Sequence, residues 1–177
     1  MRINLLGGPG SGKSTTAAWL FSELKRLNVS IELATEYVKF WAISKRPVNE
    51  FDQIYLFGKQ MHYEYRFLNS GIKNIVTDSP VVLSAIYADL YYKEIDIAKN
   101  ILNIEKEYEK KHPSFNIFLR RGDKPYHQEG RYQTKEQSVE IDGIIENFLK
   151  NSDKDVSYID YNNREEVLKQ VLEKIDK

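Results

Sequence analysis

The chain has no cysteine. That excludes disulfide bonds and thiolate metal sites, and it fits a reducing compartment such as the cytoplasm. It has no charge excess either, since 26 basic residues balance 26 acidic ones. A protein that coats nucleic acid along its whole surface needs a basic surplus, so that class is excluded, while a local basic patch is not. Long apolar runs are missing as well. The N-terminal run stops at a glycine loop, short of a signal peptide or a membrane span, and no later run approaches the ~18 apolar residues of a spanning helix. No membrane partner is expected. Neither an internal repeat nor a low-complexity linker divides the 177 residues, a length suited to one domain over 1–177.

What the chain does have is Gly7-Gly8-Pro9-Gly10-Ser11-Gly12-Lys13-Ser14, which fits G-x-x-x-x-G-K-[ST]. Ile3, Leu5 and Leu6 ahead of it read as a buried strand. Thr15 to Leu27 behind it reads as a helix with Ala18, Leu20, Phe21, Leu24 and Leu27 on one face. Glycines let the backbone curl so that successive N–H groups point inward at a polyphosphate, and the helix adds its free N-terminal donors. The stretch therefore predicts a nucleoside-triphosphate loop. Gly8, Gly10, Ser11, Gly12 and Thr15 form its cradle, Lys13 reaches the β- and γ-phosphates, and Ser14 ligates Mg²⁺.

Ser30 to Ala34 reads as a second strand, followed by Thr35-Glu36-Tyr37. A carboxylate at the carboxyl end of a strand sits on the ligand edge of an α/β sheet, so Glu36 is a candidate for catalysis or acceptor binding. It could equally open a helix capped by Thr35. Tyr37, Phe40 and Trp41 suit core or pocket wall. A longer helix runs from Asn49 to about Leu68, with Phe51, Ile54, Tyr55, Gly58, Met61, His62 and Tyr65 marking its inward face; Gln53 and Gln60 could line a pocket for a flat base. Asn74 to Asp78 is a third, β-branched strand. Asp78 would partner Mg²⁺, act as general base, or merely turn the chain before Ser79-Pro80. Ser79 stands where a motor-type ATPase commonly carries a glutamate that polarises water, which favours transfer over hydrolysis. Helices follow at Val81 to Tyr92 and Ile95 to Lys111. Lys99, Glu105, Lys106, Glu107, Glu109 and Lys110 give the second a solvated charged face.

After a fourth strand, Phe115 to Leu119, comes a polar stretch running from Arg120 to Gln133. Phosphoryl transfer needs cations over the migrating group, delivered when substrate is in place so that water does not intercept it. A basic lid over about 120–133 supplies both, with Arg120, Arg121 and Arg131 as its candidates and an ordinary solvated loop as the other reading. A helix from Thr134 to about Leu149, a short strand from Asp155 to Asp160 and an amphipathic helix from Asn163 to Ile175 complete the chain. Alternating strands and helices predict an α/β fold with a parallel sheet and helices on both faces.

The ordered set of Gly7–Ser14, Glu36-Tyr37, the Gln53-to-Gln60 helix, Thr77-Asp78, the Tyr126-to-Arg131 lid and the Gln137-to-Leu149 helix resembles the P-loop nucleoside and nucleotide kinases. It is most similar to the ribosylnicotinamide kinase domain of bifunctional NAD-salvage proteins and to small bacteriophage kinases. The resemblance covers Arg2 to about Asp160. It implies a three-layer P-loop NTPase with five strands in the order 2-3-1-4-5. It also implies an ATP- and Mg²⁺-dependent phosphotransferase acting on a nucleoside or nucleotide acceptor in the cytoplasm, or in the host cytoplasm if phage-encoded. Carried over residue by residue, Lys13 and Ser14 hold ATP and Mg²⁺. Glu36 and Asp78 face the acceptor hydroxyl and the metal. Arg131 clamps phosphate from the lid, with Arg121 beside it and Arg120 toward the nucleotide. Pro9-Gly10 replaces the Glu-Ser common in the salvage enzymes and is also at home in polynucleotide kinases. DNA, as a hydroxymethylpyrimidine or a 5′ end, is therefore the alternative acceptor, and a P-loop ATPase switch is a third class.

Overall fold

The computed structural model describes residues 1–123 and 125–175; Lys124, within the predicted lid, lies outside them. Five strands form one sheet: β1 (Arg2–Leu6), β2 (Ile31–Ala34), β3 (Asn74–Thr77), β4 (Ser114–Arg120) and β5 (Val156–Asp160). Their spatial order is β2-β3-β1-β4-β5, as the family resemblance implies, and every neighbouring pair is parallel. Seven helices lie among the described residues: α1 (Lys13–Arg26), α2 (Lys39–Ile43), α3 (Asp52–Asn69), α4 (Val82–Tyr91), α5 (Ile97–Lys111), α6 (Lys135–Lys150) and α7 (Arg164–Ile175); the first six lie in the crossovers that parallel strands need, and α7 follows the last strand. None is long and apolar enough, among the described residues, to cross a membrane.

The pleat sorts the strand side chains between two layers. Ile3, Leu5, Ile117 and Leu119 pack with Leu20 and Leu24 of α1 and Val167 and Val171 of α7. Leu6 and Phe118 face the other way, against Val82, Leu83 and Ile86 of α4 and Ile141, Ile145 and Leu149 of α6. Helices thus cover both faces, which explains why these strands read as continuous apolar runs. On α1 the buried set is Thr16, Ala17, Leu20 and Leu24, while Ala18 and Leu27 are exposed. The stripe is narrower than the sequence reading, because Thr16 turns in beneath the phosphate loop.

Two faces differ from the sequence reading for one physical reason. On α3 the buried residues are Gln53, Leu56, Phe57, Gln60 and Glu64, whereas Phe51, Ile54, Tyr55, His62 and Tyr65 are exposed. On α5, Glu105 is buried rather than solvated. Both helices turn polar groups inward to meet Arg2, the first residue of β1, which is wholly buried. Its Nε donates to the His112 carbonyl at 2.7 Å, and its guanidinium lies 4.3 Å from the centre of the Tyr108 ring. It pairs with Glu109, with Glu64 at 3.7 Å and with Glu105 at 4.0 Å. Lys154 adds a second cation, 2.8 Å from Glu105. A buried cation requires paired acids around it, so charge overrides apolar periodicity here.

Burial raises the Glu64 carboxyl from its ordinary 4.5 to about 7, against the pull of Arg2. The folded chain therefore holds that proton more tightly than the unfolded chain does. This contribution to stability is complete below pH ~4.5 and is lost as pH rises through about 7. Glu64→Gln keeps the shape and removes the titration. In urea unfolding, its stability relative to the native chain should climb between about pH 5 and about pH 8. A difference that stays constant across that range would contradict the raised value.

Candidate active site

The site forms at the carboxyl ends of β2, β3 and β1, three strands that neighbour one another in the sheet. Each strand gives way to a functional segment: Gly7 after β1, Thr35-Glu36 after β2 and Asp78 after β3. Adjacent strands lie about 4.8 Å apart, so this topology brings together residues that are 30 to 70 positions apart in the chain.

The phosphate loop has the backbone that its glycines permit. Gly7, Gly10 and Gly12 have φ of 140°, 74° and 108°. Gly12 is the left-handed N-cap of α1, and no side chain caps that helix. By contrast, α6 begins with a complete capping box between Thr134 and Gln137. The uncapped α1 therefore keeps its orphan N–H donors for an anion. Lys13 folds back over the loop, its Nζ donating to the carbonyls of Gly7 at 2.7 Å and Gly8 at 2.9 Å. Burial lowers its pKa, and Glu36, Asp78 and Asp142 partly restore it. Ser14 and Thr15 are exposed at the start of α1 and line the cleft. The Ser11 and Thr16 hydroxyls are buried beneath the loop without a hydrogen-bond partner.

Glu36 lies outside any helix, since α2 begins only at Lys39 with Val38 as its N-cap, so it does not open a helix capped by Thr35. Burial raises its carboxyl, Lys13 draws it down and Asp78 pushes it up again. The charges of Glu36 and Asp78 are thus felt at Lys13, and those of Lys13 and Asp78 at Glu36. Asp78 is 4 % exposed, and its Oδ1 has no hydrogen-bond partner. That orphaned acceptor fits a Mg²⁺ site shared with the Ser14 hydroxyl. No cluster of three metal-ligating side chains occurs among the described residues. Mg²⁺ at phosphates does not require one, because it takes one or two protein oxygens and keeps phosphate and water for the rest.

A cleft of about 970 Å³ opens in front of these residues, lined by Lys13, Ser14, Glu36, Gln53, Tyr87 and Arg131 among others. Gln60 braces its wall: the amide oxygen accepts from the Tyr37 N–H at 3.1 Å and the amide nitrogen donates to Thr77 Oγ1 at 3.5 Å. Tyr37 lines the cleft and Trp41 is buried, while Phe40 is 73 % exposed and lines a smaller pocket with Glu36, Tyr37 and Trp41.

The lid spans this cleft. The Tyr126 hydroxyl donates to the Gln133 carbonyl at 2.7 Å, Gln133 donates to the Tyr91 hydroxyl at 3.1 Å, and the Tyr132 hydroxyl donates to the Arg46 carbonyl. The predicted lid arginines separate into three environments. Arg131 faces the cleft, donates to the His127 carbonyl and lowers the Glu36 pKa. Arg121 is tied to Asp142 at 2.6 Å, to the Pro9 carbonyl at 2.8 Å and to the Ser138 carbonyl at 3.3 Å. Arg120, the last residue of β4, lies 5.7 Å from the Tyr158 ring centre and is not among the residues that line the cleft. Asp142 was not singled out from the sequence. It also accepts the Gly8 N–H at 2.5 Å.

Residues 2–166 match the family described as AAA domain. No curated protein matches the sequence significantly. Among solved structures, the chain is similar to deoxyadenosine kinase from M. mycoides with the products dCMP and a flexible dCDP bound, with TM-score 0.62, 17% identity and 99% of each chain covered. The same enzyme with bound dATP aligns with TM-score 0.60 and 16% identity over 100% of each chain. YorR from Bacillus subtilis, in complex with phosphorylated GDP, aligns with TM-score 0.61 and 18% identity over 99% of this chain and 96% of that one.

Gly10 connects loop and lid. Its φ is +74°, and a Cβ there would stand 2.8 Å from the Tyr126 ring. Gly10→Ala should destabilise the chain by about 1–2 kcal/mol from the left-handed backbone, plus a steric part from Tyr126. Urea titration of Gly10→Ala and of the Gly10→Ala/Tyr126→Ala double variant separates the two parts; equal stability of Gly10→Ala and the native chain would contradict the geometry.

Proposed function

The chain belongs to the AAA domain family, and from that premise we propose that it is an ATP-dependent kinase that moves the γ-phosphoryl group to a nucleoside- or nucleotide-like acceptor. One observation carries the reading. The phosphate loop and Glu36 line one cleft with room for a second molecule beside the triphosphate, and the buried Asp78 carboxylate follows the neighbouring strand. The nucleoside kinase and nucleotide complexes among its structural neighbours support it. Ser79, in place of a water-polarising glutamate, supports transfer over hydrolysis.

In this reading the loop amides and Lys13 hold the β- and γ-phosphates, with Lys13 leaving the Gly7 and Gly8 carbonyls for the ligand. Ser14 and Asp78 would hold Mg²⁺ beside the phosphates, where it would supply positive charge to the phosphate oxygens. Glu36 orients the acceptor hydroxyl and takes its proton. A bond forms between acceptor oxygen and γ-phosphorus as the bond from that phosphorus to the β–γ bridging oxygen breaks, leaving ADP. Arg131 supplies a lid cation over the group in transit.

Coupled ADP release should rise sharply with one member of a panel of nucleosides and nucleotides. Lys13→Ala should lower that rate ~100-fold or more with the thermal transition retained, because it removes a phosphate contact and no core packing. ADP release that no small acceptor stimulates, with label passing instead from ATP to DNA, would move the acceptor to polynucleotides. Release that is acceptor-independent and grows with oligomer concentration would replace the kinase by an ATPase switch.

The base can be assigned by pH. Burial raises the Glu36 pKa, so a Glu36 base is ionised only above the ordinary carboxylate range. The acid limb of kcat/KM should then lie above about pH 4.5 and vanish in Glu36→Gln. In Asp78→Asn the limb should survive, with the lost rate partly rescued by added Mg²⁺. The reverse pattern would make Asp78 the base.

A further inference from the structure

We propose that Asp142 is a positioning residue that ties the first root of the lid, Arg121, and the helix that follows the lid, α6, to the phosphate loop through the Gly8 N–H and the Arg121 guanidinium. Its two carboxylate oxygens are divided between these partners: Oδ1 accepts from Gly8 N at 2.5 Å and Oδ2 accepts from Arg121 Nε at 2.6 Å. Both charged side chains are 15% exposed. Arg121 completes the clasp by donating to the Pro9 carbonyl in the loop and to the Ser138 carbonyl in α6. Ser138 and Asp142 are one helical turn apart, so they present to the loop from the same side of α6.

The lid is the segment between β4 and α6; Arg121 stands at its first root, and Asp142 lies two turns into α6, the helix that follows it. Arg121 and α6 are bonded to each other and to the loop that grips the triphosphate. Lid motion is thereby confined to the residues between, which include Arg131. The loop itself is held by its first peptide and by the Ser11 N–H, which donates to the Gly8 carbonyl at 3.2 Å. Asp142 also explains a feature of the sequence that the phosphate contact alone does not. A Cβ at Gly8 would stand 2.5 Å from the Ser138 carbonyl oxygen and 2.8 Å from Asp142 Oδ1. Gly8 has to be bare because α6 closes on it. The same contacts give Arg121 a structural duty at the lid root, distinct from that of a cation free to swing onto the migrating group. Arg131 remains the one predicted lid arginine facing the cleft.

The role in lid closure rests on the kinase reading; the role in holding the loop does not, so the test reads both. Equilibrium binding of a fluorescent ATP analogue, without acceptor, should weaken about tenfold in Asp142→Ala and in Arg121→Ala. The double variant should be no weaker than the worse single one, because the pair acts as a unit. Asp142→Asn, which keeps an oxygen for the Gly8 N–H and loses the charge pair, should fall between native and Asp142→Ala; it is the variant to use if alanine impairs folding. In turnover, KM for ATP should rise with the binding constant while kcat at saturation changes less than about threefold. Strictly additive effects would overturn the proposal. So would an Arg121→Ala variant that loses ~100-fold in kcat while Asp142→Ala changes neither constant, since Arg121 would then be a transition-state cation independent of Asp142. A chain that binds the analogue with this pattern yet phosphorylates nothing would remove the kinase reading and leave the loop-holding role standing.

Discussion

The architecture of the site depends on holding one ammonium group in a place poorly supplied with water. Lys13 bonds to two carbonyls of its own loop; burial and Arg121 lower its pKa, and Glu36, Asp78 and Asp142 raise it again. Those acids come from β2, β3 and α6, so the charge balance at one lysine requires the sheet order and the return of α6 to the loop. The acids need the lysine in turn. Asp78 raises the Glu36 pKa, and Lys13 lowers it. A phosphate arriving at the loop would compete for the same ammonium, so the site is organised around an anion that the protein itself lacks.

The opposite edge of the sheet solves a similar problem without a ligand. Arg2 is enclosed by Glu64, Glu105 and Glu109, with Lys154 beyond them. Glu64 and Gln60 lie one turn apart on α3, so the same helix that braces the cleft wall through Gln60 is anchored below by a buried ion pair. Placement of the cleft and stability of the sheet's lower edge are therefore carried by a single polar stripe, running from Gln53 through Gln60 to Glu64.

The phosphate loop, the alternation of elements and the parallel sheet were legible in the sequence because their signals are local. Glycine spacing, a β-branched run and a helical period each occupy a few consecutive residues. The inward face of α3 was not legible. Its buried side includes Gln53, Gln60 and Glu64, whose partners lie on Tyr37, Thr77 and Arg2, far away in the chain. Counting apolar residues pointed to the aromatic face, which lies outward. Glu105 was misread in the same way. Arg120 and Arg121 were indistinguishable as letters, yet Arg120 ends β4 beside Tyr158 while Arg121, just past the strand, reaches the loop. Asp142 left one faint trace, the doubled glycine at Gly7-Gly8, where the loop signature requires only the first.

The central claim is that Glu36 and Asp78 face an acceptor whose reacting oxygen meets the γ-phosphate of a nucleotide held by the loop. The most direct measurement is a crystal structure of the chain with a non-transferable ATP analogue and an acceptor bound together. The account predicts Lys13 on the phosphates, and the acceptor in the cleft with its hydroxyl between the Glu36 carboxylate and the γ-phosphorus. A nucleotide bound away from Gly7–Ser14, or an acceptor bound on the far side of the sheet from Glu36 and Asp78, would contradict it.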